Sequence, residues 1–546
     1  MVWTRWMWNN AVPAVVFFIP AVVYVAYVSA FGVNVPFLDD WNQIGIFTSI
    51  YTHSLTFGML WVQHNENRMF FPNVLVSLMG VLDHFNIKME MYASAAFMIC
   101  SAGIVAYGAK VTRSVLSWWG VTPIAISMLS LSQHGAILWG FTVGNYMVVF
   151  CLVSSVVLLL LPPRWFYFAV LLAIIGSFSS MQGLPIWIAG IPALVWGARE
   201  GVGERGRRLW IWCLACVTSI GVYLIGFHSS ATEAPTITYA LTHAGAVMES
   251  FIVLPGAILP LFVLGVARRL VVVDFAFGLC VYAGALFAVA QWYRRGRDHC
   301  GLLGVSLIVF GIMFDAMVAF GRIKFGVAEM TSSRYTTYNL LLVSGVYLGV
   351  VSYAVRGVRS SLIATGGVMV LIAMQALVSY PLGWEAGGVT YKERVAASDV
   401  LVNYKIATDK LISGQLFPAA QFVRSHALIM QSHSMSSFYG KSFRAYHSVG
   451  LVPTGFQPSL LPVPQVLTHL IHAHRSYRLA WTALSAVYQT STDLRQAFPK
   501  RSPLFLSRFL GWCLSYGVHA DPAHVYLAHY RGELARMDAL ISRSPA

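Results

Sequence analysis

Phe37-Leu38-Asp39-Asp40-Trp41-Asn42-Gln43 stands directly behind an apolar run that extends from about Ala11 to Phe31. A run of about 20 apolar residues can cross a bilayer as a helix. Two adjacent carboxylates therefore fall just beyond the exit of a first membrane helix. Charge at such a boundary is costly unless solvated or paired, which marks the pair as a candidate site. A second polar cluster, His64-Asn65-Glu66-Asn67-Arg68, follows in the same loop, ahead of Phe70-Phe71-Pro72. The plain alternative is a solvated loop whose Asp caps the next helix.

The rest of the chain has the composition of a membrane protein. Its 546 residues are 57% hydrophobic and 10% charged, with a mean hydropathy of +0.66. Soluble domains carry roughly 25% charged residues. The deficit, with repeated apolar runs, means an all-α polytopic membrane protein. The formal charge of +15 is read as basic cytoplasmic loops facing anionic lipid. No recognition motif accompanies it, so no nucleic-acid partner is expected. Cys213 and Cys216 form a CxxC within an apolar run, with no second pair, and read as packing residues. His469, His472 and His474 lack a companion carboxylate or cysteine, so no metal site is expected there.

Apolar runs place about eleven spanning helices, at about 11–31, 89–109, 118–132, 143–161, 164–179, 184–198, 208–227, 270–292, 301–320, 336–355 and 362–381. Short surface helices are expected at about 43–60 and 69–82, and an interrupted segment at about 241–266, which contains Pro255 and Pro260. The chain thus divides into a transmembrane domain, 1–381, with an outward loop at 32–88, and a mainly helical C-terminal domain, 382–546. The tail shows helical patterns at about 393–411, 418–434, 478–496 and 521–541. Lys110, Arg164, Arg207, Arg294 and Arg356 fall in one set of loops, so the N-terminus is expected in the cytoplasm and the C-terminal domain outside. Arg268 and Arg269 fit this orientation poorly. Five polar clusters then share the outer face: 39–41, 64–68, 132–141, 178–183 and 321–335. Loops converging on one face of a helical scaffold suit a cavity rim.

This layout resembles the GT-C superfamily of membrane glycosyltransferases, which includes the protein O-mannosyltransferases and lipid A aminoarabinose transferases. It is more similar still to a group of bacterial membrane proteins related to that superfamily. The motifs that carry the resemblance are Asp39-Asp40-Trp41, Asn65-Glu66-Asn67-Arg68 with Phe71-Pro72-Asn73, Gln133-His134-Gly135-Ala136 with Trp139-Gly140-Phe141-Thr142, and Gly321-Arg322 through Gly326 with Ser333-Arg334-Tyr335. The chain departs from the pattern at Asn67 (for His), Asn73 (for Arg), Gly135 and Ala136 (for Glu-Asn) and Thr142 (for Gln). These changes remove polar groups but leave the acidic pair and Arg334.

The resemblance implies a GT-C-like bundle that transfers a sugar, with inversion, from a polyprenyl-phosphate donor to a lipid, glycan or protein acceptor. The work would be done at the outer face of a bacterial inner membrane. The residue types suit that chemistry. An acceptor hydroxyl needs a carboxylate to take its proton, which Asp39 or Asp40 can do. The other carboxylate would orient the acceptor or hold a divalent cation, Mg or Mn. A lipid-phosphate leaving group calls for arginine, first Arg334, then Arg322 and Lys324. Trp41, His64, Glu66, Arg68, Gln133, Trp139, Gln182 and Tyr335 are the candidate substrate-binding residues. Asp315, inside an apolar run, is expected to pair with a basic residue near the same rim. Two other classes compete: a transporter or flippase of a lipid-linked glycan, which would carry ionisable residues near the midplane on broken helices, and a non-catalytic envelope-glycan assembly protein working through its tail.

Overall fold

A computed structural model describes residues 11–112, 116–197, 202–228, 237–261, 267–296, 298–402, 404–405 and 407–439. The tail patterns at 478–496 and 521–541 and the histidines at 469–474 lie outside the described residues. Among the described residues nearly everything ordered is helix, and the strands are one two-residue pair, Gln63–His64 with Asn67–Arg68.

Among the described residues eight helices are long and apolar enough to cross a membrane: Val12–Phe31, Ile87–Thr112, Gly140–Leu160, Val202–Leu224, Val271–Arg294, His299–Gly321, Ser333–Ala354 and Arg359–Val402. The chain is an all-α membrane protein on that ground. The other three expected spans are shorter. Trp118–Met128 has 11 residues, Phe166–Ser177 has 12 and Ile186–Trp196 has 11. At 1.5 Å per residue each reaches only about 17–18 Å, well short of a hydrocarbon core of about 30 Å. Polar 3₁₀ turns flank them. Leu131–Gln133 follows the first, and Met181–Gly183 separates the other two. The serines of Ser130-Leu131-Ser132 and Ser179-Ser180 compete there for main-chain bonds.

The surface segments divide as their turn residues require. The expected 43–60 helix is two, Asp40–Tyr51 and Phe57–Trp61, parted near His53 at φ +53°. The expected 69–82 helix is Phe70–Asp83. The interrupted segment is Ala244–Val253 followed by a 3₁₀ stretch, Leu254–Ile258. Arg359–Val402 runs through Pro381 without a break, so the expected span and the first tail helix are one 44-residue element.

The contacts divide the chain into two units. One comprises Met1–Gly32, Thr52–Asp83 and Ile87–Thr390. Its centre is Ser333–Ala354, packed by His299–Gly321, Ala267–Arg294 and Trp118–Met128. Small residues set that packing. A Cβ on Gly304 would fall 2.6 Å from the Gly345 carbonyl oxygen, and one on Gly345 2.7 Å from that of Gly304. Two helices in lipid gain contact only by bringing backbones this close, since lipid tails solvate larger side chains equally well. Asp298 starts His299–Gly321 by accepting Gly301 N–H at 2.6 Å.

The other unit comprises Val33–Tyr51, His84–Asn86 and Tyr391–Ala546, whereas the sequence reading left all of 32–88 with the membrane domain. Here Ser436 N–H donates to the His84 carbonyl at 2.8 Å, and Ser437 Oγ to the Asn34 carbonyl at 2.6 Å. Phe47 packs on Phe85, and Tyr51 stacks on His433. Arg424 ties Asp409–Gln415 to Ala420–Ser432 through Asp409 at 2.7 Å and the Ala407 carbonyl at 2.6 Å.

Candidate functional site

In the first unit, the polar clusters at 64–68, 132–141, 178–183 and 321–335 are joined by specific bonds. The hairpin turn places Asn65 at φ +49°, a conformation Asn tolerates. Asn67 Oδ1 accepts from Ser180 Oγ at 2.9 Å and from Met181 N–H at 3.0 Å. Ser180 in turn bonds Gln182. Glu66 reaches Arg322 at 3.5 Å. Gly135 N–H donates to Ser333 Oγ at 3.2 Å, and a Cβ on Gly135 would fall 2.5 Å from that oxygen. The glycine that replaces the acid of the resembling motif is thus matched to its neighbour.

Several candidates are engaged by the fold itself. Arg68, 4% exposed, donates through Nε to the Tyr223 carbonyl at 3.1 Å, through Nη1 to the Trp61 carbonyl at 3.3 Å, and through Nη2 to the Ile225 carbonyl. Its guanidinium therefore closes the C-terminal end of Val202–Leu224, where carbonyls lack helical donors. Arg68→Met is expected to destabilise the protein by on the order of 3 kcal/mol, read as a lower unfolding midpoint in detergent. Gln133 is fully buried. Its Nε2 donates to the Met128 and Ser130 carbonyls, and its Oε1 accepts from Tyr146 and Thr337. Trp139 stacks on Phe141, whose ring meets His64 edge-on at 4.9 Å.

The candidate cations stand at or next to the ends of two apolar helices. Arg322 closes His299–Gly321, its N–H bonded to the Val318 carbonyl at 2.9 Å. Lys324 is exposed in the 3₁₀ turn Ile323–Phe325. Arg334 is the second residue of Ser333–Ala354. A cation in a helix's first turn opposes the macrodipole. It is held there by an ion pair with Glu329 and by the Tyr335 ring, 5.1 Å from the guanidinium carbon.

Beside Glu329 lies a cavity of about 250 Å³. Ser132, His134, Glu329, Thr331, Ser332 and Ser333 give it polar walls, with Ala257, Pro260 and Ala328 completing it. His134 and Glu329 were not among the residues singled out from the sequence. The signals were present: His134 stood inside a quoted cluster, and Glu329 is an acid in an otherwise basic loop. His134 Nδ1 is buried and has no hydrogen-bond partner among the described residues. Burial lowers its pKa to about 4, so the imidazole is neutral at neutral pH and keeps an acceptor nitrogen. The unfolded chain takes up this proton near pH 6.5 and the folded chain only near 4, so the stability His134 supplies is complete above about 6.5 and is lost as pH falls through 4. The unfolding midpoint of the wild type is expected to fall over that window, and more steeply than that of His134→Gln.

Asp39, Asp40 and Trp41 belong to the second unit. Asp40 is fully buried at the start of Asp40–Tyr51, and its Oδ2 accepts Phe37 N–H at 2.9 Å. Arg394 lies over the Phe37 ring and feels the Asp40 charge. Asp39 is half-buried, and its carbonyl accepts from Asn42 N–H at 3.0 Å. Trp41 is fully buried. Asp40 is enclosed with one oxygen committed, and no cluster of three His, Cys, Asp or Glu is assembled among the described residues.

No family model, curated protein or solved structure matches the chain.

Proposed function

We propose that the protein is a membrane glycosyltransferase that moves a sugar from a polyprenyl-phosphate donor to a lipid, glycan or protein acceptor at the outer face of the membrane. One observation carries the reading. Arg322 and Arg334 stand at the ends of two apolar helices, His299–Gly321 and Ser333–Ala354, with Lys324 in the turn after the first, and Glu329, the ion-pair partner of Arg334, lines a polar cavity. A lipid phosphate requires that combination: cations at the membrane boundary, a helix N-terminus for the anion, and a pocket for the uncharged polar group attached to it.

In this reading the fork of Arg334 takes two phosphate oxygens in place of Glu329, and the charge that grows on the leaving phosphate is met there. Serine hydroxyls and the neutral His134 bind sugar hydroxyls as donors and acceptors. An acceptor hydroxyl attacks the anomeric carbon from the face opposite the phosphate, which inverts it. Of the acidic pair, Asp39 is the candidate general base rather than Asp40, which is enclosed and accepts Phe37 N–H. The transport reading draws support from the interrupted segment Ala244–Ile258.

One experiment separates the two. Purified protein in liposomes is offered a panel of polyprenyl-phosphate sugars with candidate acceptors, and released polyprenyl phosphate is measured. Release with a matching glycosylated product supports transfer. Translocation of intact donor without release sinks it.

A further inference from the structure

Among the described residues the buried carboxyl of Asp315 does not have the basic partner expected from the sequence. It is fully buried in His299–Gly321, and its Oδ2 lies 2.7 Å from the hydroxyl of Tyr282. That same hydroxyl lies 3.1 Å from the carbonyl oxygen of Phe251. Asn339, also fully buried, donates through Nδ2 to the Leu254 carbonyl at 3.2 Å and adds to the polar surroundings of the Asp315 carboxyl. Among the described residues Tyr282 and Asn339 are the groups that act on this carboxyl, and no arginine, lysine or histidine does. Asp274, the other buried acid on the helix that carries Tyr282, is not among them.

The protons can be counted. Phe251 lies four residues before Pro255, and proline has no N–H, so the Phe251 carbonyl lacks its helical donor. A carbonyl left without its helical donor is stabilised by another, and the Tyr282 hydroxyl is placed to supply it. A phenol has one proton and cannot serve the Phe251 carbonyl and the Asp315 carboxylate together. The Asp315 Oδ1 and Asn339 Oδ1 atoms are also buried without a donor. The local set is short of protons, and the shortage sits on the acid.

We propose that Asp315 is the seat of a tightly held proton, which completes a chain from Asp315 O–H to the Tyr282 oxygen and from Tyr282 O–H to the Phe251 carbonyl, and so fastens the helix break at Leu254–Ile258. The break is packed too tightly to adjust otherwise. A Cβ on Gly256 would fall 1.8 Å from the Asp274 carbonyl oxygen, and one on Gly278 1.8 Å from that of Ile252. Phe251 and Tyr282 stack at 4.8 Å, which holds the two ends of the chain in register. The far side of the break, through Ala257 and Pro260, walls the polar cavity. If the proton leaves, the Tyr282 hydroxyl turns to the carboxylate, the Phe251 carbonyl loses its donor, and that wall is released. The inference stands whether or not the cavity takes a sugar.

The test is infrared spectroscopy of the whole protein in lipid at neutral pH, in sodium-free buffer. The wild type minus Asp315→Asn difference is expected to contain the carbonyl band of a protonated carboxyl, shifted in deuterium oxide and unchanged by added sodium chloride. Tyr282→Phe should keep that band and move it to higher frequency, because the acid loses its acceptor. Should Asp315→Asn fail to fold, ¹³C-aspartate labelling of the wild type and of Tyr282→Phe reads the same band directly. A carboxylate signal in place of the acid band, or a band that Tyr282→Phe leaves unmoved, overturns the proposal. So does an ionised signal whose frequency follows sodium, which would place a metal cation there instead.

Discussion

Arg334→Lys is expected to lower sugar transfer roughly 10- to 100-fold with the protein still folded. Lysine keeps the charge but loses the planar fork that bonds two phosphate oxygens at once. A charge-assisted hydrogen bond is worth about 1.5–3 kcal/mol, and each 1.36 kcal/mol at the transition state is about tenfold in rate. The fold should tolerate the change. Arg334 is 41% exposed along its side chain and its fold partner is Glu329, and a pair so exposed contributes little to stability. The informative comparison is Glu329→Gln. It releases Arg334 from its resting partner, so donor binding should tighten or hold while Arg334→Lys weakens it. Donor affinity and single-turnover transfer, measured for both variants against unfolding midpoints, decide the matter. Full transfer by Arg334→Lys would remove the guanidinium from the reaction.

Asp39→Asn is expected to cost about 10²–10⁴-fold in turnover while donor binding survives, the signature of a lost general base. Asp40→Asn should behave differently in kind. Asp40 is fully buried and its Oδ2 holds Phe37 N–H, so its loss should appear chiefly as lower stability. Leu38, just ahead of the pair, has φ +45°, and the turn so formed directs the two side chains to different surroundings. The competing reading treats both as helix caps. Asn caps as well as Asp, so under that reading both variants transfer sugar almost normally. Single-turnover rates for the pair, beside donor affinity, distinguish the two readings, and near-normal rates in both would end the catalytic assignment of this loop.

The helices were legible because apolar run length is a local property. Val12–Phe31, Ile87–Thr112, Val143–Leu160 and Ser333–Ala354 stand within a few residues of where the runs placed them. The breaker at Pro255 was legible for the same reason, since a missing N–H acts on its own chain wherever that chain lies. The polar clusters were legible as clusters, because polar residues between apolar runs must find water or one another. Their partners were not. Nothing local tells Arg68 to close the end of Val202–Leu224, or Gln133 to bond Tyr146 and Thr337 rather than a ligand. Glu329 and His134 came to line one cavity only when the 3₁₀ turns brought the neighbours of Ser132 and Ser333 together. Asp315 met a tyrosine instead of a cation because the helix break set Phe251 beside Tyr282. Val33–Tyr51 joined the segment after Tyr391 although the chain between them is mostly membrane helix. Composition and periodicity determine which segments bury themselves. Which buried group satisfies which is decided by contacts between residues far apart in the chain, and only the folded structure selects those.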